Sequence, residues 1–364
     1  MHPAPPPGRR GQHVRRSPQA ADSVLQADDG RRRLRLDVCA ARRGEGGSSA
    51  ASVRADGLGD RGEHLSVMIP TYNCADLLEA TLNSLADQGL DRAQVEVVDD
   101  CSTVGDPEKL VDRVGRGRVG FFRHAANMGM VHNFNACVER AERRWVHILH
   151  GDDFALPGAY EAFDGLLERV PTSRALFGRC VTVDSRGRWR GTTQLLGAGD
   201  EGPLVYDTLT WAFCPVQFAG VLFERTAVDE VGRFDTSLSH TADWDLWWRL
   251  GRSVAVAYTN RCVGAYRQFE DNHTSQLRPS AQNIVEYLDQ LHRIADADGR
   301  VGSDVFAAAF REAVHQGRGY AGETGPLLAH LRVLARFPAG LPRTRAISRL
   351  ALAHAFEVAD RHRR

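Results

Sequence analysis

Lysine is almost missing from this 364-residue chain, and with it any surplus of positive charge: Lys and Arg together number 46, Asp and Glu 46, for a formal net charge of +0. Arginine carries the positive charge, which fits a GC-rich coding sequence better than a function. A chain without net charge has no global attraction for nucleic acid or for an anionic membrane, so a nucleic-acid partner is not expected. Long apolar runs are missing too. No segment approaches the roughly 18 to 20 apolar residues that cross a bilayer, and the N-terminus has no apolar h-region of a secretory signal. The seven Cys form no C-x-x-C pair and no metal spacing. An odd, dispersed set, with Cys137 and Cys180 in apolar or helical surroundings, reads as reduced thiols of a cytosolic protein.

Several binding motifs are also lacking. A dinucleotide-binding fold needs G-x-G-x-x-G directly after its first strand, and here that turn reads "PTYNCAD". No P-loop is present. A phosphatase of the haloacid dehalogenase type wants Asp-x-Asp after a strand, and "VVDDCST" puts Cys101 where the second Asp belongs.

What remains is ordinary globular composition, 43% hydrophobic and 25% charged, in a chain long enough for one large or two modest domains. Residues 1–62 stand apart. They are rich in Pro, Gly, Ser, Ala and Arg and poor in aromatic and β-branched residues. Such a stretch buries too little apolar surface to offset its ordering entropy. It reads as a disordered leader or as sequence upstream of the true start.

From "LSVMIP" (Leu65 to Pro70) the pattern changes. "ADLLEATLNSLADQ" repeats apolar residues at helical spacing, with Leu78, Leu82 and Leu85 on one face. "VEVVDD" predicts a strand, "PEKLVDRV" a short helix, "RVGFFRH" a strand, "VHNFNACVERAERR" a helix and "WVHILHG" a strand. Alternating strands and helices, joined by connections too long for hairpins, predict an α/β fold with a mostly parallel central sheet flanked by helices. Further on, "ALFGRCVTVD" and "VQFAGVLFER" read as strands and "DWDLWWRLG" as a short helix. After about Pro279 the chain reads as helical and Arg-rich.

Polar residues gather where the strands end: Thr71, Tyr72 and Asn73, then Asp99 and Asp100, then Asp152 and Asp153. Ligands of open α/β sheets bind beyond the carboxyl ends of the strands, so three polar strand ends on one edge point to a site. The stretch "WVHILHGDDF" is the sharpest case. Two adjacent carboxylates repel and are costly to bury without a partner, so the pair is either a solvated turn or a cation site.

Five blocks spread in order over about Leu65 to Ser275 resemble glycosyltransferase family 2, whose fold is the nucleotide-sugar-binding GT-A type: "VMIPTYN", "VEVVDDCST", "NMGMVHNFNACVERAERRWVHILHGDD", "HTADWDLWWRL" and "YRQFEDNHTS". The resemblance implies a GT-A domain over 63–278 with a C-terminal helical extension over 279–364. It also implies an inverting transfer of a sugar from a nucleotide-diphosphate sugar to an acceptor hydroxyl. It gives Asp152 as principal ligand of a divalent metal (Mn2+ or Mg2+), supported by Asp153, with His150 standing where the commoner D-x-D-D has its first Asp. It gives Asp99 or Asp100 as acceptor of a nucleobase N–H, the alternative being an Asx turn before "STVGDPEKL". Pro70, Thr71, Tyr72 and Asn73 would line the nucleoside side, with Tyr72 either against the base or in the core. Asn127 and Gly129 would shape the turn toward ribose or diphosphate, and Asn135 or its neighbour Asn133 would join them. The family's usual Glu-Asp maps onto Ala242 and Asp243, making Asp243 the general base, while an Asp cap is its bland reading. Asp245 and Arg249 have the i, i+4 spacing of a surface ion pair. Trp244, Trp247 and Trp248 form one stripe, fit for core packing or for stacking on an acceptor sugar. Arg267 and His273 would receive the departing diphosphate, His273 alternatively serving as a metal ligand or lying plainly on the surface.

The acceptor implied is a saccharide, lipid-linked saccharide or other hydroxyl, in cell-surface polysaccharide or glycolipid assembly. The setting would be cytoplasmic, with peripheral contact at the inner face of the plasma membrane or a homo-oligomer formed through the C-terminal helices. A nucleotidyltransferase of related fold is the rival, though "PTYNCADLL" lacks its Gly-rich basic loop. A degenerate glycan- or nucleotide-binding module is the rival outside enzymes.

Overall fold

The structure, a computed structural model, describes residues 57–197, 199, 201–204, 213–269, 273–299, 301–338 and 340–361. The leader expected to be disordered lies outside the described residues up to residue 56. Leu58, inside the compositional leader, is buried in the core and donates its N–H to Asp164 Oδ1 at 2.8 Å.

The apolar run at Leu65 becomes β1 (Leu65–Thr71), buried along its whole length. It is followed by α1 (Ala75–Leu85), β2 (Gln94–Asp99), α2 (Pro107–Val114), β3 (Gly120–Arg123), α3 (Met130–Arg140) and β4 (Trp145–Ile148). α1 buries Leu78, Leu82 and Leu85 on one side, as their spacing dictates. α2 starts where the sequence says it must: Asp106 caps it by accepting from the Lys109 N–H at 3.1 Å, and Pro107 occupies the first turn, where its missing N–H costs nothing.

The second half is β5 (Phe154–Ala155), α4 (Ala159–Arg169), β6 (Ala175–Val183), β7 (Trp189–Thr192), β8 (Gly202–Pro203), β9 (Val221–Glu224), α5 (Arg225–Val231), α6 (Ala242–Ser253) and β10 (Val256–Arg267). The main sheet path runs β3-β2-β1-β4-β9-β6-β10-β5, with β7 paired to β6 and β8 to β10. β3, β2, β1 and β4 are parallel, as expected. Beyond β4 the sheet is mixed: β9 runs antiparallel to both neighbours, and β6 pairs β10 in parallel.

Two apolar layers cover the sheet. One joins α1, α2 and α4 to its first face through residues such as Leu78, Leu110 and Phe163. The other joins α3, α5 and α6 to the opposite face through Phe134, Val228 and Trp247. The remaining helices are α7 (His273–Leu277), α8 (Gln282–Asp298), α9 (Ser303–Gly319), α10 (Thr324–Arg336) and α11 (Arg343–Arg361). α8 to α11 build a third core with Leu288, Leu291, Phe310 and Leu334, and Trp244 and Trp248 of α6 belong to it. None of the described helices is long and apolar enough to cross a membrane.

Candidate active site

The turn after β4 is zipped to the end of β1: Leu149 donates its N–H to the Met68 carbonyl at 3.0 Å and Gly151 donates to that of Pro70 at 3.1 Å. A Cβ on Gly151 would stand 2.7 Å from Thr71 Oγ1 and 3.0 Å from Cys74 Sγ, so only glycine fits this approach. The two carboxylates that follow part company. Asp153 is buried at 1% exposure and accepts from the backbone N–H of Arg267 at 2.9 Å. Asp152 borders the cleft beyond the strand ends. Burial holds both carboxyls above the ordinary range, Asp153 further because the Asp152 charge adds to it. Arg267 opposes the shift in each.

His150 completes the group. Its ring is stacked on Phe134 at 5.0 Å between centroids and lies 4.4 Å from Phe218. Burial pushes its pKa down to about 4, so the ring is neutral at pH 7. Its Nε2 is buried with no hydrogen-bond partner among the described residues. One donor atom from each of His150, Asp152 and Asp153 lies within 4.8 Å of the others. A neutral imidazole with an unused ring nitrogen, beside two carboxylates, is a donor set that fits a divalent cation.

The cleft has a volume of about 1230 Å³ and is walled by Pro70, Thr71, Tyr72, Asn73, Asp100, Asn127, Gly129 and Asp152 among others. Eight of the predicted residues therefore meet in one place. Tyr72 is 49% exposed, which settles its alternative: it is not a core aromatic. Asn73 takes a left-handed φ of 52° and its Oδ1 accepts from the N–H groups of Thr103 and Val104 at 2.8 and 3.0 Å, tying the first strand end to the second. Asp100 accepts from the N–H groups of Met128 and Gly129 at 2.7 and 2.9 Å, and its carbonyl from Asn127 Nδ2 at 3.2 Å. It thus shapes the loop before α3, where a carboxylate also suits the positive end of the helix.

Three predicted donor residues are not on this cleft's wall, although Arg267 borders the pocket that adjoins it. Asp99 is fully buried, off the cleft wall, and accepts from Ser102 Oγ at 2.5 Å, Ser102 N at 3.1 Å and Arg123 Nε at 2.7 Å; these bonds hold a turn. Asn135 exchanges both amide groups with the backbone of Phe234, at 2.9 and 3.1 Å, and lies away from the cleft. Its neighbour Asn133 lines the cleft instead, donating to the Val98 carbonyl at 2.9 Å. Arg267 is only 6% exposed and is spent on holding the acidic turn, its Nε donating to the Asp152 carbonyl at 2.7 Å and its Nη1 to that of Ser185 at 3.0 Å. The His273 side chain lies outside the described residues.

A second pocket of about 320 Å³ adjoins the cleft, with Met130, Phe134, His150, Asp152 and Gln268 lining both. Asp243 borders this pocket, as do Ala242, Cys214, Tyr266 and, from α8, Tyr287. Asp243 sits in the first turn of α6, and one of its oxygens accepts from the Trp244 N–H at 2.7 Å. Burial lifts its pKa to about 6, against hydrogen bonds from Trp244 and Cys214 that pull it down. A carboxylate with that pKa is a working base near neutral pH.

The other acidic residue of α6 is not the surface partner its spacing promises. Asp245 is 4% exposed and sits in a network with Arg249 Nε at 2.8 Å and Gln290 Nε2 at 3.3 Å, while Arg249 also donates to the Val231 carbonyl at 2.6 Å. Trp244, Trp247 and Trp248 are all core, at 1%, 0% and 9% exposure.

Sequence reasoning missed His150 as a site residue, and with it Tyr266, Tyr287 and the arginines Arg186, Arg188 and Arg190 on the cleft wall. For His150 the signal was present: it occupies the first position of the acidic motif. The arginines follow the predicted strand "ALFGRCVTVD" in a stretch that carries no motif.

Against known proteins, the family model described as Glycosyl transferase family 2 matches residues 66–232. That stretch is a glycosyltransferase family 2 domain. This glycosyltransferase is 24% identical over 231 residues to YwdF of Bacillus subtilis (strain 168), named as an uncharacterised glycosyltransferase; the match covers 62% of this chain and 82% of YwdF. TuaG of the same organism, provisionally named as a teichuronic acid biosynthesis glycosyltransferase, is 34% identical over 91 residues, which is 24% of this chain and 36% of TuaG. Among solved structures, S. aureus TarS 1-349 in complex with UDP-GlcNAc superposes with a TM-score of 0.52 at 16% identity, covering 81% of this chain and 88% of that one. At that identity the likeness shows a shared fold, the GT-A type.

Proposed function

We propose that this glycosyltransferase moves a sugar from a nucleotide-diphosphate sugar in the large cleft to an acceptor hydroxyl in the second pocket, by a single displacement that inverts the anomeric centre. One observation carries the reading: Asp152 borders both spaces, and the second holds Asp243. Donor and acceptor would thus meet at the acidic turn.

Tyr72 offers an exposed ring at the nucleoside end, and Thr71, Asn73, Asp100, Asn127 and Gly129 frame the nucleoside and ribose. His150 and Asp152, with Asp153 behind them, would hold a divalent cation (Mn2+ or Mg2+), which stabilises the negative charge that builds on a departing diphosphate. Asp243 accepts the proton of the acceptor hydroxyl as that oxygen attacks. The Trp244 N–H fixes the carboxylate's direction, and the apolar wall of Phe134 and Phe218 limits competing water. An acceptor saccharide, free or lipid-linked, would lie along Tyr266 and Tyr287. Assembly of a surface polysaccharide is the proposed setting, supported by the likeness to TuaG.

The test is calorimetric titration of the protein with UDP, dTDP and GDP, each with and without Mn2+, beside Asp152→Asn. Metal-dependent binding of one nucleotide, lost in the variant, is expected. A folded protein that binds none of the three overturns the reading.

A further inference from the structure

The loop Ser239–Thr241 leads straight into α6, and Asp243 follows Thr241 by two positions. Thr241 is the N-cap residue, yet its hydroxyl makes no capping bond and is buried without a partner among the described residues. The loop is held from another helix. Glu286 of α8, 8% exposed, directs one oxygen at three successive backbone N–H groups: Ser239 at 3.1 Å, His240 at 2.6 Å and Thr241 at 3.3 Å. Its other oxygen accepts from the Ser239 hydroxyl and from Gln282 Nε2 at 3.3 Å. Burial works to raise the Glu286 carboxyl. The bonds from Ser239, His240, Gln282 and Thr241 outweigh it and hold the group below its ordinary range. A carboxylate anchored this way fixes the curvature of the loop and places negative charge near the positive end of α6.

The next residue on α8, Tyr287, lines the pocket that Asp243 borders. At position 242, where the family resemblance expects a Glu, the chain has Ala242, and no carboxylate stands there to organise the first turn. We propose that Glu286 is a positioning residue for Asp243: from the C-terminal helical region it sets the start of α6, so that the base points into the second pocket. The inference rests on the transferase reading for Asp243. It makes the helical extension part of the acceptor-side machinery.

The experiment compares full-length wild type, Glu286→Gln and Glu286→Ala in three measurements. These are nucleotide binding by calorimetry, release of nucleoside diphosphate from the matching nucleotide sugar, and amide hydrogen exchange across 239–245. Expected are nucleotide affinity within twofold of wild type, release at least tenfold slower in Glu286→Ala with Glu286→Gln between, and exchange of the 239–241 amides at least tenfold faster. A merely structural loss would lower affinity and release together, and that outcome overturns the proposal. So does unchanged release, or unchanged exchange. If wild type binds no nucleotide, the donor reading falls separately, and the exchange comparison still decides whether Glu286 anchors the loop.

Discussion

Arg267 grips the acidic turn from two directions: its Nε donates to the Asp152 carbonyl at 2.7 Å while its own backbone N–H donates to the Asp153 carboxylate at 2.9 Å. Residues of β10 and of the turn after β4 are thereby locked in one orientation. Arg267→Ala removes the buried cation and the donors that the Asp152 and Ser185 carbonyls accept from. A loss of about 2 to 3 kcal/mol in stability is expected, with nucleotide affinity weakened because the Asp152 carboxylate is no longer held at the cleft. Denaturant unfolding and calorimetry check the two effects.

Asp243→Asn separates chemistry from folding. Nucleoside diphosphate release should fall by about a hundred- to ten-thousandfold while nucleotide affinity stays, because the large cleft is untouched. Since the wild-type carboxyl titrates at about 6, its rate should fall as pH drops through 6. The stability effect runs the other way. A carboxyl whose folded pKa lies above its ordinary value of 3.8 favours the folded state when protonated, and that benefit is lost as pH rises from about 4 through 6. The variant lacks the loss, so its melting temperature relative to wild type should climb between pH 4 and pH 7.

Tyr72→Ala should leave stability nearly unchanged, because the ring is 49% exposed and packs into no core cluster. If the ring carries the base, nucleotide affinity drops roughly tenfold, the usual worth of one base stacked on an aromatic. Equal affinity in wild type and variant removes Tyr72 from the donor site.

Gly151→Ala tests the close approach of the two strand ends. The added methyl meets Thr71 and Cys74 with no flexible tip to yield. A cost of about 1 to 3 kcal/mol is expected, together with weaker nucleotide binding, since the cleft wall at Thr71 and the turn at Asp152 are forced apart. A variant with wild-type melting temperature and affinity would contradict the geometry.

The local signals were legible where they are self-contained. α2 follows from Asp106 and Pro107 alone, and β1 from one apolar run ended by a proline. β10 was not legible: its Val-Ala-Tyr and Val-Gly-Ala-Tyr segments are interrupted by Thr259, Asn260 and Arg261, and the strand shifts register there. Within the site, sequence brought the strand ends together but could not choose between neighbours. Adjacent residues at a strand end point to opposite sides, so Asp99 turns inward while Asp100 meets the cleft. Asn133 and Asn135 lie two apart on a helix, on nearly opposite faces, so only one can look at the ligand. Glu286 belongs to a third kind, where the meaning of a residue depends on a loop 45 positions away along the chain, and no local pattern marks it.

The tryptophans of α6 carry one more consequence. Trp247 is immersed in the layer under the sheet, while Trp244 and Trp248 are immersed among α8 to α11. A cut at residue 278, where sequence composition changes, would strip the second pair of its cover and leave two indoles facing water on the helix that carries Asp243. Shortened versions of this protein should therefore clump or melt early, and the smallest piece fit for crystallisation or engineering keeps the C-terminal helices.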